Sequence, residues 1–274
     1  MSATFIEGMD FTEYTLQDAV NNSALNAFSK SPAHYKRYLD RLGDRPDTAA
    51  FQLGRGVHCL ALEPESFNDR YVKSPDCRRG TNEWKGFSKL HPSKEIIKPA
   101  EYEEVFAMGS AIRTHPEAAM LLDGGLSEVT IVWDDKATGM KCKARLDRWN
   151  QKRGTIVDIK TCQDASPSAF AKAIEERKYR RQGAWYETGA LEVGLPAKEF
   201  CFICVEKEPP YYVAVYRLSR EVIELSKLEN AELLSRIKAH HQANYWPGYT
   251  EGSPVIGIPD YAMRKLEERY GESL

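Results

Sequence analysis

Two predicted strands in the middle of the chain end on charged side chains whose types could perform chemistry together. Asp147 closes the first strand, and Asp158 and Lys160, separated by Ile159, lie near the end of the second. Because side chains alternate between the faces of a strand, Asp158 and Lys160 share one face, and a short turn brings Asp147 beside them. Two carboxylates with waters are typical of a hard divalent cation such as Mg²⁺, and a neighbouring lysine can orient a water nucleophile. The pattern predicts a divalent-metal site, with a solvated ladder of charges on an edge strand as the alternative.

The elements that must position these residues follow from the hydrophobic periodicity. Residues spaced with a period of two predict an antiparallel meander of three strands joined by short turns. These strands are SEVTIVWDD (127–135), MKCKARLDRW (140–149) and GTIVDIKT (154–161). Further on, the pattern predicts a helix over 167–194 with a break near Arg181–Gly183, strands over 199–206 and 211–218, and an amphipathic helix over 219–243.

The first 125 residues are predicted to be mainly helical. Helices are expected over 24–30, 33–42, 51–62 and 100–122, with Ser23 as a cap of the first. The segments expected outside helices are a polar lead-in at 1–22, a loop at 43–50 and a long functional or mobile loop at 65–100. We therefore expect an α/β fold in which helices flank a mixed central sheet that contains the meander. One domain would span 1–274, with a helical N-terminal elaboration to about 125 and a core over about 126–245.

The composition excludes several classes of protein. Of 274 residues, 42% are hydrophobic and 28% charged, which rules out collagen-like, disordered and small disulfide-rich chains. The net charge of −2 argues against a basic DNA-coating protein but not against a nucleic-acid enzyme whose acidic site offsets a basic groove. No signal peptide or membrane span is predicted, and the six scattered cysteines suit reduced thiols, so we expect a cytoplasmic protein. Cys201 and Cys204 fall on opposite faces of a strand, which is poor geometry for one metal.

Three further side chains become candidates through their order in the chain. His58 lies in the predicted buried helix, where a core histidine is the plain alternative. Gln182 and Tyr186 are one helical turn apart and share a face, as ordinary residues of an amphipathic helix also would. Together with the acidic residues they form an ordered series.

That series resembles the PD-(D/E)XK nuclease superfamily and, within it, the RecE (exonuclease VIII) type of phage recombination nuclease. The resemblance covers about residues 20–245. The DIK tripeptide is common by itself, whereas the ordered series is specific. Its segments here are LGRGVHCLALEPESFNDRYV (53–72), Glu128, Leu146-Asp147, VDIKT (157–161) and Gln182 with Tyr186. Leu146 departs from the proline of the family, and its side chain is expected to face away from the metal.

The resemblance implies a restriction-endonuclease-like core and a Mg²⁺-dependent attack of water on DNA phosphodiesters, with Mn²⁺ as a substitute. Carried over by position, the metal ligands would be Asp147, Asp158, His58 and the carbonyl of Ile159. Lys160 would position the water. Gln182 and Tyr186 would organise the site, and Glu128 would be the upstream acid, with a strand-start surface glutamate as its alternative.

Basic residues near these motifs are the candidates for DNA contact. Lys143 and Arg145 are predicted to share a strand face with Asp147, as a basic stripe that leads to the acidic pocket. Arg180 and Arg181 precede Gln182 in the chain. Arg78 and Trp84 combine a cation and an aromatic ring in the 65–100 segment, where they could guide a DNA end or simply belong to a surface loop.

The resemblance implies an exonuclease that degrades one strand of linear duplex DNA from 5′ to 3′. It also implies a single-strand annealing protein as partner and a ring-shaped trimer or tetramer. A RecB-like or CRISPR-associated nuclease with an iron–sulfur cluster is one alternative, but that cluster needs three close cysteines after the core, where this chain has only Cys201 and Cys204. A non-catalytic DNA-binding protein on the same fold is the other, and the intact acidic residues and lysine argue against it.

Overall fold

The structure is a computed structural model, and it describes residues 3–40, 48–250 and 252–271. The strands within these ranges are β1 (Thr4–Ile6), β2 (Tyr71–Lys73), β3 (Glu95–Ile97), β4 (Leu126–Asp134), β5 (Lys141–Asn150), β6 (Thr155–Cys162), β7 (Glu199–Glu206) and β8 (Val213–Arg217). Six of them form one sheet in the order β1-β4-β5-β6-β7-β8, in which β6 and β7 are parallel and the other neighbours antiparallel. The predicted antiparallel meander is therefore confirmed as β4-β5-β6.

Helices cover both faces of this sheet. They are α1 (Phe11–Leu16), α2 (Asn22–Phe28), α3 (Pro32–Asp40), α4 (Ala49–Leu62), α5 (Phe67–Arg70), α6 (Asn82–Leu90), α7 (Pro99–Thr114), α8 (Pro116–Leu122), α9 (Pro167–Glu176), α10 (Tyr179–Glu192), α11 (Arg220–Ala243) and α12 (Asp260–Tyr270). Side-chain caps start two of the longer ones, since Thr48 accepts from the N–H of Phe51 and Ser219 from that of Val222. None of the helices in the described ranges is both long and apolar enough to cross a membrane.

Two apolar clusters on opposite faces of the sheet form the core. One contains side chains of α2, α10 and α11, and the other contains side chains of α4, α7 and α8. Cys204 belongs to the first cluster and Cys201 to the second, so the predicted opposite orientation of these thiols is confirmed. This mixed α/β architecture, with helices on both sides of a central sheet, agrees with the fold class expected from the sequence.

Helix α4 packs closely against α7, and small residues allow this approach. A Cβ on Gly109 of α7 would lie 2.7 Å from Cδ2 of Leu60, and one on Gly56 would lie 3.0 Å from Cγ2 of Val105. Because neither helix can move far without opening the core, α4 is a rigid support for the side chains on its other face.

Several sequence predictions need correction. The 65–100 segment is not one long loop, since it contains α5, β2, α6 and β3; these elements are too short to give a clear periodic signal. The segment 1–22, predicted as a polar lead-in, contributes β1 and α1, which are likewise too short to give a clear periodic signal. The break in the predicted 167–194 helix falls earlier than expected, at Lys178, whose φ of 57° is left-handed. Helix α12 was not predicted, and of the 43–50 loop only residues 48–50 lie within the described ranges, where α4 already begins at Ala49.

Candidate active site

Strands β5 and β6 separate at the residues that the sequence singles out. Their backbones pair only between Arg148–Asn150 and Thr155–Val157, beyond which β6 pairs with β7 alone. At the point of separation Oδ2 of Asp147 accepts a hydrogen bond of 2.9 Å from the N–H of Ile159. A carboxylate thus takes the place of a backbone carbonyl between the two strands. The separation leaves room for polar side chains at the middle of the sheet.

Strands β4 and β5 are both irregular beside this opening. Glu128 stands opposite Asp147, between the pairs Ser127–Arg148 and Val129–Leu146. Its φ of 52° is left-handed, which is uncommon for a residue with a Cβ. In a regular strand, residues three apart lie on opposite faces of the sheet. Here Leu126 and Val129 pack on the same core cluster, as do Leu146 and Trp149, so the alternation of both strands is shifted by one residue.

This shift brings Glu128 and Asp147 together with His58. One potential ligand atom from each of the three residues lies within 4.8 Å of the others. Such backbone irregularities cost about 1–3 kcal/mol and often occur at functional sites. The cluster therefore combines a strained backbone with a set of donors that suits a metal.

His58 reaches the cluster from α4 and contacts both strands. Its Nε2 donates to the carbonyl oxygen of Ile159 at 2.9 Å, and its Nδ1 lies 3.4 Å from Oδ2 of Asp147. Because a carbonyl only accepts, the hydrogen belongs on Nε2, and the Nδ1 lone pair then faces a carboxylate oxygen. Two acceptors at this distance need a proton or a cation between them. The chemistry of the donor set thus fits a bound divalent cation.

The acidic groups repel one another in this cluster. Burial, followed by the charge of Asp158, raises the pKa of Asp147 to about 7, although His58 and Lys160 act in the opposite direction. Glu128 adds to the increase. A carboxyl group with this pKa keeps its proton up to neutral pH. A divalent cation can replace that proton and offset the repulsion between the carboxylates.

Asp158 and Lys160 form a second group, on the side of α10. Asp158 is buried, with Oδ2 at 2.6 Å from Nζ of Lys160 and Oδ1 accepting a 2.6 Å bond from Nε2 of Gln182. Gln182 also accepts from Lys160 at 3.0 Å and donates to the hydroxyl of Tyr186 at 3.0 Å. Gln182 therefore holds Asp158 and Lys160 in one arrangement.

Burial and neighbouring charges set the protonation of this second group. Burial lowers the pKa of Lys160, but the carboxylates of Asp158 and Asp147 outweigh it, so the pKa is raised above its ordinary value. Burial and the same two carboxylates raise the pKa of Tyr186 well above its ordinary value. The lysine therefore stays charged and the tyrosine stays a neutral hydroxyl at physiological pH.

The structure thus brings together the predicted residues of the centre. His58, Glu128, Asp147 and the Ile159 carbonyl lie on one side of the opening, and Asp158, Lys160, Gln182 and Tyr186 lie on the other. Sequence reasoning missed Tyr179, whose ring lies 4.6 Å from Nζ of Lys160. Its position one helical turn before Gln182 was the available signal, because the two share a face of α10.

The predicted basic stripe is wrong at Lys143. Its side chain is 1% exposed, and its ammonium donates to the backbone carbonyls of Tyr14, Thr15 and Gln17. The strand face that should carry the stripe is covered by α1, in the segment expected to be a polar lead-in. Arg145 is mostly buried as well and binds Oε2 of Glu128 at 2.6 Å.

The arginines before Gln182 are also bound inside the protein. Arg181 is 1% exposed and donates to the side chains of Asn26 and Ser29. Arg180 forms ion pairs with Glu175 and Glu229. The predicted free basic surface at these two residues is therefore corrected: both link α10 to neighbouring helices.

The remaining pair lies on the outside of the protein. Arg78 is exposed in the turn before α6, and Trp84 is half-buried on α6, with the guanidinium of Arg79 at 5.6 Å from its ring. They remain candidates for contact with a substrate.

Together, the fold and the centre define a class of protein. A mixed sheet carries an aspartate on one strand and an Asp-x-Lys motif on the next, where the strands separate, and this arrangement is PDDEXK-like. In agreement, residues 21–256 match the family described as "PDDEXK-like domain of unknown function (DUF3799)". The chain belongs to this family.

A solved structure is similar over nearly the whole chain. It is the crystal structure of a "Putative exonuclease" from Eubacterium rectale, which is 14% identical, with a TM-score of 0.59 over 94% of this chain and 98% of the other. At this identity the similarity concerns the fold. No curated protein sequence matches the chain significantly.

Proposed function

We propose that this protein is a metal-dependent exonuclease that degrades one strand of linear double-stranded DNA. The observation that carries the proposal is the convergence of His58, Glu128, Asp147, Asp158 and Lys160 where β5 and β6 separate. Membership of a PDDEXK-like family and a fold shared with a protein described as an exonuclease support it. Mg²⁺ is the proposed ion, because carboxylate and carbonyl oxygens dominate the donor set.

The residues around the opening would divide the chemistry between them. His58, Glu128, Asp147 and the carbonyl of Ile159 would hold the cation, and Asp158 would be the further ligand from the side of α10. When bound, the cation would polarise the scissile phosphate and lower the pKa of a coordinated water.

Lys160 would act from the other side of the opening. Its charged ammonium, 2.6 Å from Asp158, would hold the attacking water and stabilise the negative charge that develops on the phosphate. Gln182 and Tyr186 would keep Asp158 and Lys160 in place. Because Gln182 binds both partners, it restricts the ammonium to one direction of approach.

The finer parts of the proposal rest on the resemblance to RecE-type nucleases. They are 5′ to 3′ polarity, a role in recombination with a single-strand annealing partner, and a ring-shaped trimer or tetramer. Exposed Arg78 and half-buried Trp84 support contact with a DNA end, since a cation can bind a phosphate and an indole can stack on a base.

The experiment that tests the proposal uses linear duplexes labelled at one 5′ end or at one 3′ end. With Mg²⁺ we expect immediate release of 5′-labelled mononucleotides and slow shortening of 3′-labelled strands. Immediate release of the 3′ label would overturn the polarity. Equal cutting of circular and linear duplexes would show an endonuclease, and no cleavage with Mg²⁺ or Mn²⁺ would refute the proposal.

A further inference from the structure

The segment Met9–Gln17 crosses the sheet next to the candidate site. Before it, Phe5 in β1 pairs with Ile131 in β4. After it, Val20 bonds to the backbone of Lys141 and Lys143 in β5. The segment therefore passes over the face of β4 and β5 that carries Lys143 and Arg145. It lies before residue 21, where the match to the family begins, so the family assignment gives it no role.

The side chain of Lys143, on β5, anchors this segment to the sheet. Its ammonium donates to the carbonyl oxygens of Tyr14 and Gln17 at 2.7 Å each and to that of Thr15 at 3.2 Å. An ammonium has three hydrogens, and here three carbonyls at the C-terminal end of α1 accept them. Burial lowers the pKa of Lys143 to about 8, which is the cost of placing this charge inside the protein. A buried lysine used in this way indicates that the position of the segment is specified.

Arg145 connects the segment to the cluster of candidate metal ligands, His58, Glu128 and Asp147. Its Nη1 donates to the carbonyl of Met9 at 2.6 Å, and its Nε donates to Oε2 of Glu128 at 2.6 Å. The rings of Phe11 and Tyr14 lie 5.8 and 5.9 Å from the guanidinium and restrict it further. Arg145 thus has one end on the segment and the other on a carboxylate of the cluster.

We propose that Arg145 is a positioning residue that holds Glu128 among the candidate metal ligands. The Met9–Gln17 segment, fixed by Lys143, in turn holds Arg145. Arg145 occupies Oε2 of Glu128, while Oε1 forms no hydrogen bond or ion pair within the described residues and can face a cation. Without this bond, the repulsion between Glu128 and Asp147 would turn Glu128 away. The inference rests on the proposed function for its metal and adds the N-terminal segment to the site.

The sign of the effect on metal affinity separates positioning from simple charge. Removing a positive charge beside a cation site strengthens cation binding if charge alone matters. Positioning predicts the reverse. Residues that orient metal ligands typically change affinity by 10- to 100-fold, so we expect Arg145→Met to weaken Mn²⁺ binding by about tenfold.

The experiment is calorimetric titration of Mn²⁺ into the full chain without DNA, in a double-mutant cycle. Arg145→Met should weaken binding in the wild-type background and have no further effect in a Glu128→Gln background, because it acts through Glu128. Phe11→Ala should weaken binding by a smaller factor. Leu16→Ala is the matched control: both side chains are exposed on α1, but only the Phe11 side chain offers the guanidinium of Arg145 an aromatic face.

Each outcome of the cycle is informative. The inference is overturned by any of three results. These are unchanged or tighter Mn²⁺ binding by Arg145→Met, additive effects in the double variant, and no Mn²⁺ binding by the wild type. If Arg145→Met fails to fold, Phe11→Ala against Leu16→Ala decides, and equal binding by those two overturns it as well. If the cycle behaves as expected but no DNA is cleaved, the proposed function fails while this inference stands.

Discussion

Replacing Asp147 with asparagine is expected to stabilise the protein in the absence of divalent cations. The carboxylate of Asp147 is mostly buried and faces Asp158, and these two effects raise its pKa from 3.8 to about 7. Between these values the native state holds a proton that the unfolded chain has lost. Stability is therefore present at low pH and falls as the pH rises through this interval. At pH 8 the native state bears the full penalty of the buried charge, and a neutral amide avoids it.

The size of the effect follows from the pKa. A difference of about 3 units corresponds to at most about 4 kcal/mol at pH 8. Against this, the amide oxygen accepts the bond from the N–H of Ile159 less strongly than a carboxylate does, which costs on the order of 1 kcal/mol. Relaxation of the opening reduces the net gain further. We expect Asp147→Asn to gain about 1–3 kcal/mol at pH 8 and less than about 1 kcal/mol at pH 4.5.

Urea unfolding in EDTA at the two pH values, followed by tryptophan fluorescence, measures this gain. Asp134→Asn is the matched control, since Asp134 pairs with Lys141 away from the cluster and its replacement should bring no gain. Mg²⁺ at 100 times its Kd should then stabilise the wild type by about 2.7 kcal/mol and the Asp147→Asn variant much less. A variant that is less stable than the wild type in EDTA at pH 8, or a stability difference that does not depend on pH, would refute the raised pKa of Asp147 as the source of the gain.

Three further predictions concern the lysine, the glutamine and a buried arginine. Lys160→Met should fold and lose at least about 10²-fold in kcat at saturating Mg²⁺; wild-type kcat in steady-state assays would exclude its role. Gln182→Ala leaves Oδ1 of Asp158 without a donor and should lower kcat by about 10- to 100-fold. Tyr186→Phe keeps that donor, so its loss of kcat should be smaller, and it should lower the free energy of unfolding by about 1 kcal/mol at most. Equal kinetic losses in these two variants would contradict the bridging role of Gln182. Arg181→Ala should reduce the free energy of unfolding by about 1–3 kcal/mol, because it removes the bonds of a buried guanidinium to Asn26, Ser29 and Glu229. It should not change the salt dependence of DNA binding. A smaller salt slope with unchanged stability would restore Arg181 as a phosphate contact.

The central strands could be predicted because their sequences carry a strong local signal. Alternating apolar residues identify β4, β5 and β6, and the glycine-containing turns between them fix their antiparallel order. The proximity of Asp147, Asp158 and Lys160 on neighbouring strands followed directly from that order. The central sheet and the acidic residues with their lysine were therefore accessible from the sequence.

The rest of the site depends on effects that have no local signature. The shift in alternation at Glu128 comes from a left-handed backbone at one residue, and a regular strand pattern gives no indication of it. Lys143 and Arg181 are charged, and a sequence pattern places such residues at the surface unless their partners are known. Those partners lie in α1 and α2, far away in the chain.

The short elements explain why the N-terminal contribution was missed. Strand β1 has 3 residues and α1 has 6, so neither completes two periods of its pattern. Both are held by contacts with β4 and β5 rather than by their own propensity. Such tertiary stabilisation became visible only in the structure.

The most direct test of the account compares wild type with Asp158→Asn in the release of acid-soluble nucleotides from linear duplex DNA. Asp158 is buried between Lys160 and Gln182, and asparagine preserves its shape while removing its charge. We expect the wild-type rate to rise with Mg²⁺ and vanish in EDTA, and the variant to fold normally and release nothing above background. Release by the variant at the wild-type rate, or release by the wild type in EDTA, would contradict a metal-dependent centre at this position.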